Sequence, residues 1–202
     1  MQFCCLGGVS EMNESGRSEE IKRVIAHLFA RQGYDSTSMR GIAKELGMNQ
    51  SSIYHYFRSK EEMLFILIDE ALDDALNRME KIYVAELSLE EKFKEILQFY
   101  IYYYVGDQDR QILLIKEIDK LNEDHLNKLI KKRRRYLELM RYILKELKEY
   151  DLIKDIDPTV AAFAFFGMVH YTFRWYREEG KVGLDEMVDI FLEIFTKGVM
   201  KG

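Results

Sequence analysis

The sequence predicts an all-α chain, and three observations carry that prediction. Helix breakers are scarce, with one Pro and 12 Gly among 202 residues, so long helices are permitted almost throughout. Apolar residues recur three and four positions apart, the spacing of one helix face. No stretch sustains the period-2 alternation, bounded by turn residues, that marks strands. A composition 48% hydrophobic and 32% charged is ordinary for a globular protein, and the length allows one domain or two small ones with a substantial core. About nine helices are expected: a three-helix head over 17–62, then a helical body over 63–202, behind an arm of residues 1–16.

The elements follow in order. Ser18 can cap a helix whose first turn carries Glu19 and Glu20, favourable against the helix dipole. Ile21, Val24, Ile25, Leu28 and Phe29 form one stripe, and Gly33 suits the left-handed position that ends the helix. His27, among apolar neighbours, reads as structural. Met39, Ile42, Ala43 and Leu46 make a second face, closed by Gly47. Asn49 can cap a third helix of about two turns, with Ile53 and Phe57 inward. Ser59 to Glu62 has the S-x-x-E form of a capping box and opens an amphipathic helix near 60–84. Further helices are expected near 88–105, 108–121, 124–149, 158–179 and 184–200; Asp157–Pro158 is a cap followed by Pro at the first helical position.

Several function classes are excluded on the residues. No apolar run reaches the roughly 18 residues of a membrane span. The opening "MQFCCLGGVSEMNESG" lacks the basic region of a signal peptide. Adjacent Cys4 and Cys5 make neither a disulfide framework nor a zinc pattern, so a reduced, cytoplasmic protein is expected; Met12 is a candidate natural start. No G-x-S-x-G, H-E-x-x-H, C-x-x-C or Gly-rich phosphate loop is present, and the four His are scattered. Neither catalysis nor a cofactor is expected. The net charge of −5 is uneven: residues 17–62 hold eight Lys/Arg against six Asp/Glu, residues 63–202 hold 22 against 27. That asymmetry favours an anionic partner at the head.

The stretch "SMRGIAKELGMNQSSIYHYFRSKEE" reads as two short helices joined at Gly47, a helix-turn-helix. The second helix of that motif enters the DNA major groove. Packing through Ile53 and Phe57 can hold a helix too short to be stable alone, which frees Gln50, Ser51, Ser52, Tyr54, His55 and Tyr56 for DNA. Gln50 suits adenine edges, and Ser51 and Ser52 suit bases or phosphates. Tyr54 and Tyr56 can reach phosphate oxygens. His55 reads equally as a base contact or as solvent-exposed. Lys60, at a helix N-terminus, can add its charge at a phosphate, and Arg40 can reach a guanine or the backbone. Lys44 and Arg58 read as solvated charge. Asn49 stands with the DNA-facing group at the head of the third helix.

These residues carry a resemblance. "LFARQGYDSTSMRGIAKELGMNQSSIYHYFRSKEEML" is similar to the DNA-binding domain of TetR-family transcriptional repressors, over residues 18–65. The resemblance implies a three-helix DNA head, a helical ligand and dimer domain, and a symmetric homodimer on a palindromic operator. It also implies DNA contacts at Arg40, Gln50, Ser51, Ser52, Tyr54, His55 and Lys60, with Thr37 or Ser38 helping to hold the backbone.

In the second half, "ILQFYIYYYV" and "AAFAFFGMVHYTFRWY" are strongly aromatic. A plain helical core accounts for most of these residues. Phe99, Tyr102, Tyr103, Phe166, His170, Phe173 and Trp175 are the candidates to line an apolar cavity with a few polar anchors. Gly167 in mid-helix costs about 1 kcal/mol against Ala, for which close helix approach and room for a ligand are both explanations. The ending "MVHYTFRWYREEGKVGLDEMVDIFLEIFTKGV" resembles TetR-type regulators of lipid and aromatic catabolism, which respond to acyl-CoA thioesters or related hydrophobic molecules. It implies a homodimer interface on helices near 158–179 and 184–200. The basic run Lys131 to Arg135 reads as a solvated face paired with Glu138 or Asp124; an anionic ligand group or outlying DNA contact is the alternative. The expected function is a ligand-responsive DNA-binding regulator, with effector binding tilting the fourth helix. The alternative is a helical small-molecule-binding protein without specific DNA binding.

Overall fold

The structure is a computed structural model that describes residues 14–201, so Cys4, Cys5 and Met12 lie outside the described residues. Nine α-helices occur among them: α1 (Glu14–Gln32), α2 (Met39–Glu45), α3 (Gln50–Ile53), α4 (Lys60–Tyr83), α5 (Leu89–Val105), α6 (Gln108–Ile112), α7 (Glu123–Glu149), α8 (Pro158–His170) and α9 (Leu184–Val199). Between α6 and α7 the chain runs through a π-helical stretch, Leu113–Glu117, and a 3-10 turn, Ile118–Lys120. A second 3-10 turn, Tyr171–Arg174, follows α8.

Helix α1 begins before the expected cap, so Ser18 sits inside the helix. Its far end is as the sequence implies: Gly33 has φ +85° and donates to the Phe29 carbonyl at 3.0 Å. After α2, Gly47 takes φ +61°, Met48 N donates to Ala43 O at 2.9 Å, and Gly47 N to Lys44 O at 3.2 Å. This paired closure, with Gly in the left-handed region, turns the chain sharply into α3. Helix α3 is one turn rather than two, and Asn49 holds its N-cap position without a side-chain cap bond.

Ser59 caps α4 by accepting from Glu62 N, while the Glu62 carboxylate accepts from Arg58 N rather than from the cap residue itself. Asp157 caps α8 through bonds from Thr159 N and Val160 N, ahead of Pro158.

One buried apolar cluster joins the head to the body. Ile21, Ile25, Phe29, Ile42, Ile53 and Phe57 meet Met63 and Leu64 on α4, whose later turns bury Leu67, Leu72, Ala75 and Met79. Helix α4 packs along α5 and α7, α5 against α8 and α9, and α1 against α6. The 24-residue α4 therefore belongs to both ends of the molecule, spanning about 36 Å at the usual rise per residue. Among the described residues no helix is long and apolar enough to cross a membrane.

Candidate nucleic-acid interface and effector cavity

The turn after Gly47 is held from beneath and open above. Ile53 is fully buried and Phe57 nearly so. Gln50, Ser51, His55 and Tyr56 are exposed, Tyr54 is 47% exposed and Ser52 is half-buried. A one-turn helix has no stability of its own; burial of Ile53 and Phe57 anchors it and leaves the polar groups on the outer side. Arg40 and Asn49 are also exposed. Ser38 caps α2, its hydroxyl accepting from Gly41 N at 3.1 Å.

Two positions expected at DNA are turned inward. Thr37 is buried, and its hydroxyl donates to Gly33 O at 2.9 Å, so its side chain is unavailable to a duplex. Lys60 is half-buried, and its ammonium donates to Tyr34 O at 2.8 Å and Thr37 O at 2.9 Å, with the Tyr34 ring 4.1 Å away. A cation at a helix N-terminus opposes the dipole. The two carbonyls and the ring face offset that cost and fasten the α1–α2 turn to α4. Lys60→Met is expected to destabilise the protein by about 1.5–3 kcal/mol, the worth of hydrogen bonds to a charged group. A shift of the urea midpoint, with an unchanged salt slope of DNA binding, is the expected pair of results. A direct phosphate contact would lower that slope by about 1.

In the body, a cavity of about 470 Å³ lies between α5, α7 and α8, with Leu72 of α4 and Leu114 of the π-helical stretch on its walls. Tyr100 and Tyr104, Tyr136 and Leu137, and Phe166 and His170 supply most of the remaining wall. Tyr100 Oη and His170 Nε2 share a hydrogen bond of 2.7 Å, and Tyr136 Oη donates to Leu72 O at 3.1 Å. The Tyr100 ring lies 4.4 Å from that of Tyr104 and 5.0 Å from that of Phe166. Burial raises all three tyrosine hydroxyls above the ordinary range. Burial, reinforced by the charge of Arg133, lowers His170 to about 4. Near neutral pH these four groups are uncharged polar anchors on an aromatic surface, the usual anatomy of a small-molecule site.

Residues 21–66 match the family described as bacterial regulatory proteins, tetR family, and residues 86–199 match the tetracyclin repressor-like C-terminal domain. The chain belongs to the TetR family. It is similar to the fatty acid metabolism regulator protein of Bacillus subtilis (strain 168), 25% identical over 182 residues that cover 89% of this chain and 94% of the relative. Among solved structures it resembles a TetR-family transcriptional regulator from Bordetella parapertussis 12822, with a TM-score of 0.80, 30% identity, and coverage of 91% of this chain and 95% of that one. It also shares its fold with AibR, solved in complex with isovaleryl coenzyme A and operator DNA, at TM-score 0.78 and 23% identity, covering 88% and 97%. The protein is thus a TetR-family transcriptional regulator with a helix-turn-helix head.

Within this TetR chain the expected cavity residues divide. Phe166 and His170 line the cavity. Phe99 and Tyr102 are absent from its walls: Phe99 packs 5.4 Å from Tyr103, and Tyr102 Oη donates to Asp185 at 2.7 Å. Tyr103 donates to Ala71 O at 2.7 Å and borders only a small crevice beside α4. Phe173 lies in a separate cleft, with Lys116 5.0 Å from its ring, and Trp175 is half exposed against Phe191. The cause is rotation about the helix axis. Tyr100 and Tyr104, four apart, face the cavity, whereas Phe99 and Tyr103 lie one residue off that face. Helix α8 stops at His170, so Phe173 and Trp175 leave the predicted stripe.

The signal that could have found the missed tyrosines is the same i, i+4 pairing, read jointly for Tyr100–Tyr104 and Phe166–His170. Arg133 and Arg134 also line the cavity, one helical face of a run that composition alone reads as solvated charge. His27, expected as structural, is exposed and contacts Asp109 at 2.9 Å. Two other clefts, of about 430 and 380 Å³, are rich in charged side chains, several of them paired with one another, such as Lys22 with Glu19, Arg110 with Asp107, and Arg31 with Asp109.

Proposed function

We propose that this regulator is a homodimeric repressor that seats residues 49–56 of each head in successive major grooves of a palindromic operator. A hydrophobic small molecule in the α5–α7–α8 cavity, an acyl-CoA or related lipid, releases it. In this reading residues 17–62 are the head and 63–202 the effector and dimer body. The observation that carries it is the turn after Gly47: buried Ile53 and Phe57 below, exposed Gln50, Ser51, Tyr54, His55 and Tyr56 above. Half-sites one helical turn apart, about 34 Å, fit two such heads related by a two-fold axis.

The effector half is supported by the cavity's aromatic wall and by relatives whose names refer to fatty acid metabolism and to isovaleryl coenzyme A. Helix α4 offers the route between the sites. Leu72 forms cavity wall while Met63 and Leu64 sit in the head core, so a tilt of one helix moves both. Further ties support this coupling: Glu61 near the start of α4 meets His125 of α7 at 2.8 Å, and Asp69 meets Lys132 at 2.5 Å. DNA and effector then weaken each other by the same factor.

The test is a pair of substitutions read on operator and on random DNA. Gln50→Ala is expected to relax preference at particular base pairs, by about 1–3 kcal/mol each. Tyr54→Phe is expected to weaken binding to all sequences alike. If both variants act equally on operator and random DNA, the assigned roles are wrong.

A further inference from the structure

The basic run Lys131 to Arg135 divides on α7 into paired and unpaired cations. Lys132 reaches Asp69 at 2.5 Å and Asp73 at 2.7 Å on α4. Arg135 reaches Glu80 at 3.1 Å and Glu138 at 3.8 Å. Lys131, Arg133 and Arg134 have neither an ion pair nor a hydrogen bond among the described residues, and of these three Arg133 and Arg134 line the cavity. No Asp or Glu shares that lining. Neither α8 nor the cavity-facing stretch of α5, residues 96–105, contains a carboxylate.

Two consecutive arginines, both exposed and always charged, do nothing for an apolar wall. The folded chain balances Lys132 and Arg135, and of the cations it leaves unpaired these two are the ones on the cavity lining. The effect reaches into the cavity, since the Arg133 charge bears on Tyr100, Tyr104 and His170. Guanidinium is the side chain best matched to a carboxylate or phosphate, which it can hold through two parallel hydrogen bonds.

We propose that Arg133 and Arg134 form an anion subsite at the cavity, so that the effector is an amphipathic anion. Its apolar body lies on Tyr100, Tyr104 and Phe166, and its carboxylate or phosphate meets the two guanidinium groups. This inference rests on the effector reading above and adds to it the charge of the ligand and the residues that read it.

Calorimetric titration of the full chain with octanol, octanoate and octanoyl-CoA tests it. At least one anionic probe is expected to bind about tenfold or more tighter than octanol. Preference for octanoyl-CoA alone assigns the anion to its phosphates, and preference for octanoate assigns it to a carboxylate. Arg133→Gln and Arg134→Gln should each reduce that preference while leaving octanol affinity within about twofold. Lys131→Gln, which removes a neighbouring charge outside the cavity lining, is the control and should change little. Equal binding of all three probes, or equal loss in the Lys131 control, overturns the anion subsite and leaves the effector reading standing. Failure of every probe to bind overturns both.

Discussion

Val160→Glu combined with Ile194→Glu is expected to yield a folded monomer whose operator affinity is lower by about 10²–10⁴-fold. The physical case begins with what α8 and α9 leave uncovered. Val160 is 67% exposed and Tyr171 62%, on one stripe of α8 continued into the following turn; Phe163, 59% exposed between them, also lines the rim of the cavity. Ile190 and Ile194 make a matching stripe on α9. A Cβ built at Gly198 would meet nothing within 4 Å, so the α9 stripe carries a notch where another backbone can approach closely; the open space at Gly167 belongs to the cavity lining. Exposed apolar side chains repeated along one helix face mark interaction sites, and a self-complementary face is what a two-fold dimer requires.

Neither Val160 nor Ile194 belongs to the buried core, and neither lines the cavity. Charge at these two sites therefore leaves the protomer intact while placing carboxylates where the partner's apolar stripe would sit. Each head alone keeps its half-site contacts; what disappears is the second, linked binding event, which supplies most of an operator complex's affinity. Sedimentation and operator titration of the same preparation provide the check. A double variant that stays dimeric places the interface elsewhere. A monomer with undiminished operator affinity removes the need for paired heads.

The head was legible because its signals are local. The Gly47 closure, the Ser59 cap and the inward pair Ile53 and Phe57 all lie within a few residues of the groups they organise. Where reading failed, the deciding contact came from elsewhere in the chain. Helix α8 was expected to run to 179 but stops at His170. Buried Thr172 donates to Val169 O at 2.7 Å, and the fully buried Gln111 side chain donates to the same carbonyl at 3.0 Å. A glutamine 58 positions upstream thus fixes where α8 ends, and no periodicity within α8 encodes it. The region predicted as one helix over 108–121 likewise breaks into α-helical, π-helical and 3-10 segments; π-helical turns are rare and leave no mark on a 3.6-residue pattern.

The cavity suffered most from this. Its walls come from four α-helices and the π-helical stretch, and a one-residue error in the facing of each helix selects the wrong aromatic residue. Tyr103 in place of Tyr104 is such an error. The basic run shows the converse, since composition gave its charge but only the carboxylates of α4 and the cavity wall reveal which two unpaired cations face the cavity.

Acid should expose the buried imidazole. As pH falls from 7 to 4, the wild-type protein is expected to lose about 3 kcal/mol more stability than His170→Gln. In the folded chain burial and the nearby Arg133 lower His170 to about 4, against 6.5 for a free imidazole. Below 6.5 the unfolded chain takes up a proton that the folded chain refuses, so stability declines with pH, and this contribution is exhausted once pH passes below 4. The groups facing the ring are Tyr100 and Tyr104 of α5, Phe166 of its own helix, and Arg133 of α7; no carboxylate on the cavity lining offsets the new charge.

The Tyr100 contact acts in the same direction. A neutral imidazole can accept the Tyr100 proton at Nε2, whereas an imidazolium cannot. Glutamine keeps an acceptor near that place and does not titrate. Urea unfolding of both proteins at pH 7, 6, 5 and 4 gives the comparison, and parallel stability curves would remove His170 as the cause. The consequence for function is electrostatic. With His170 neutral across about pH 5 to 8 and the tyrosines protonated, Arg133 and Arg134 are the charged groups on the cavity lining. The lining then presents an arriving ligand with a fixed positive potential above an uncharged aromatic floor.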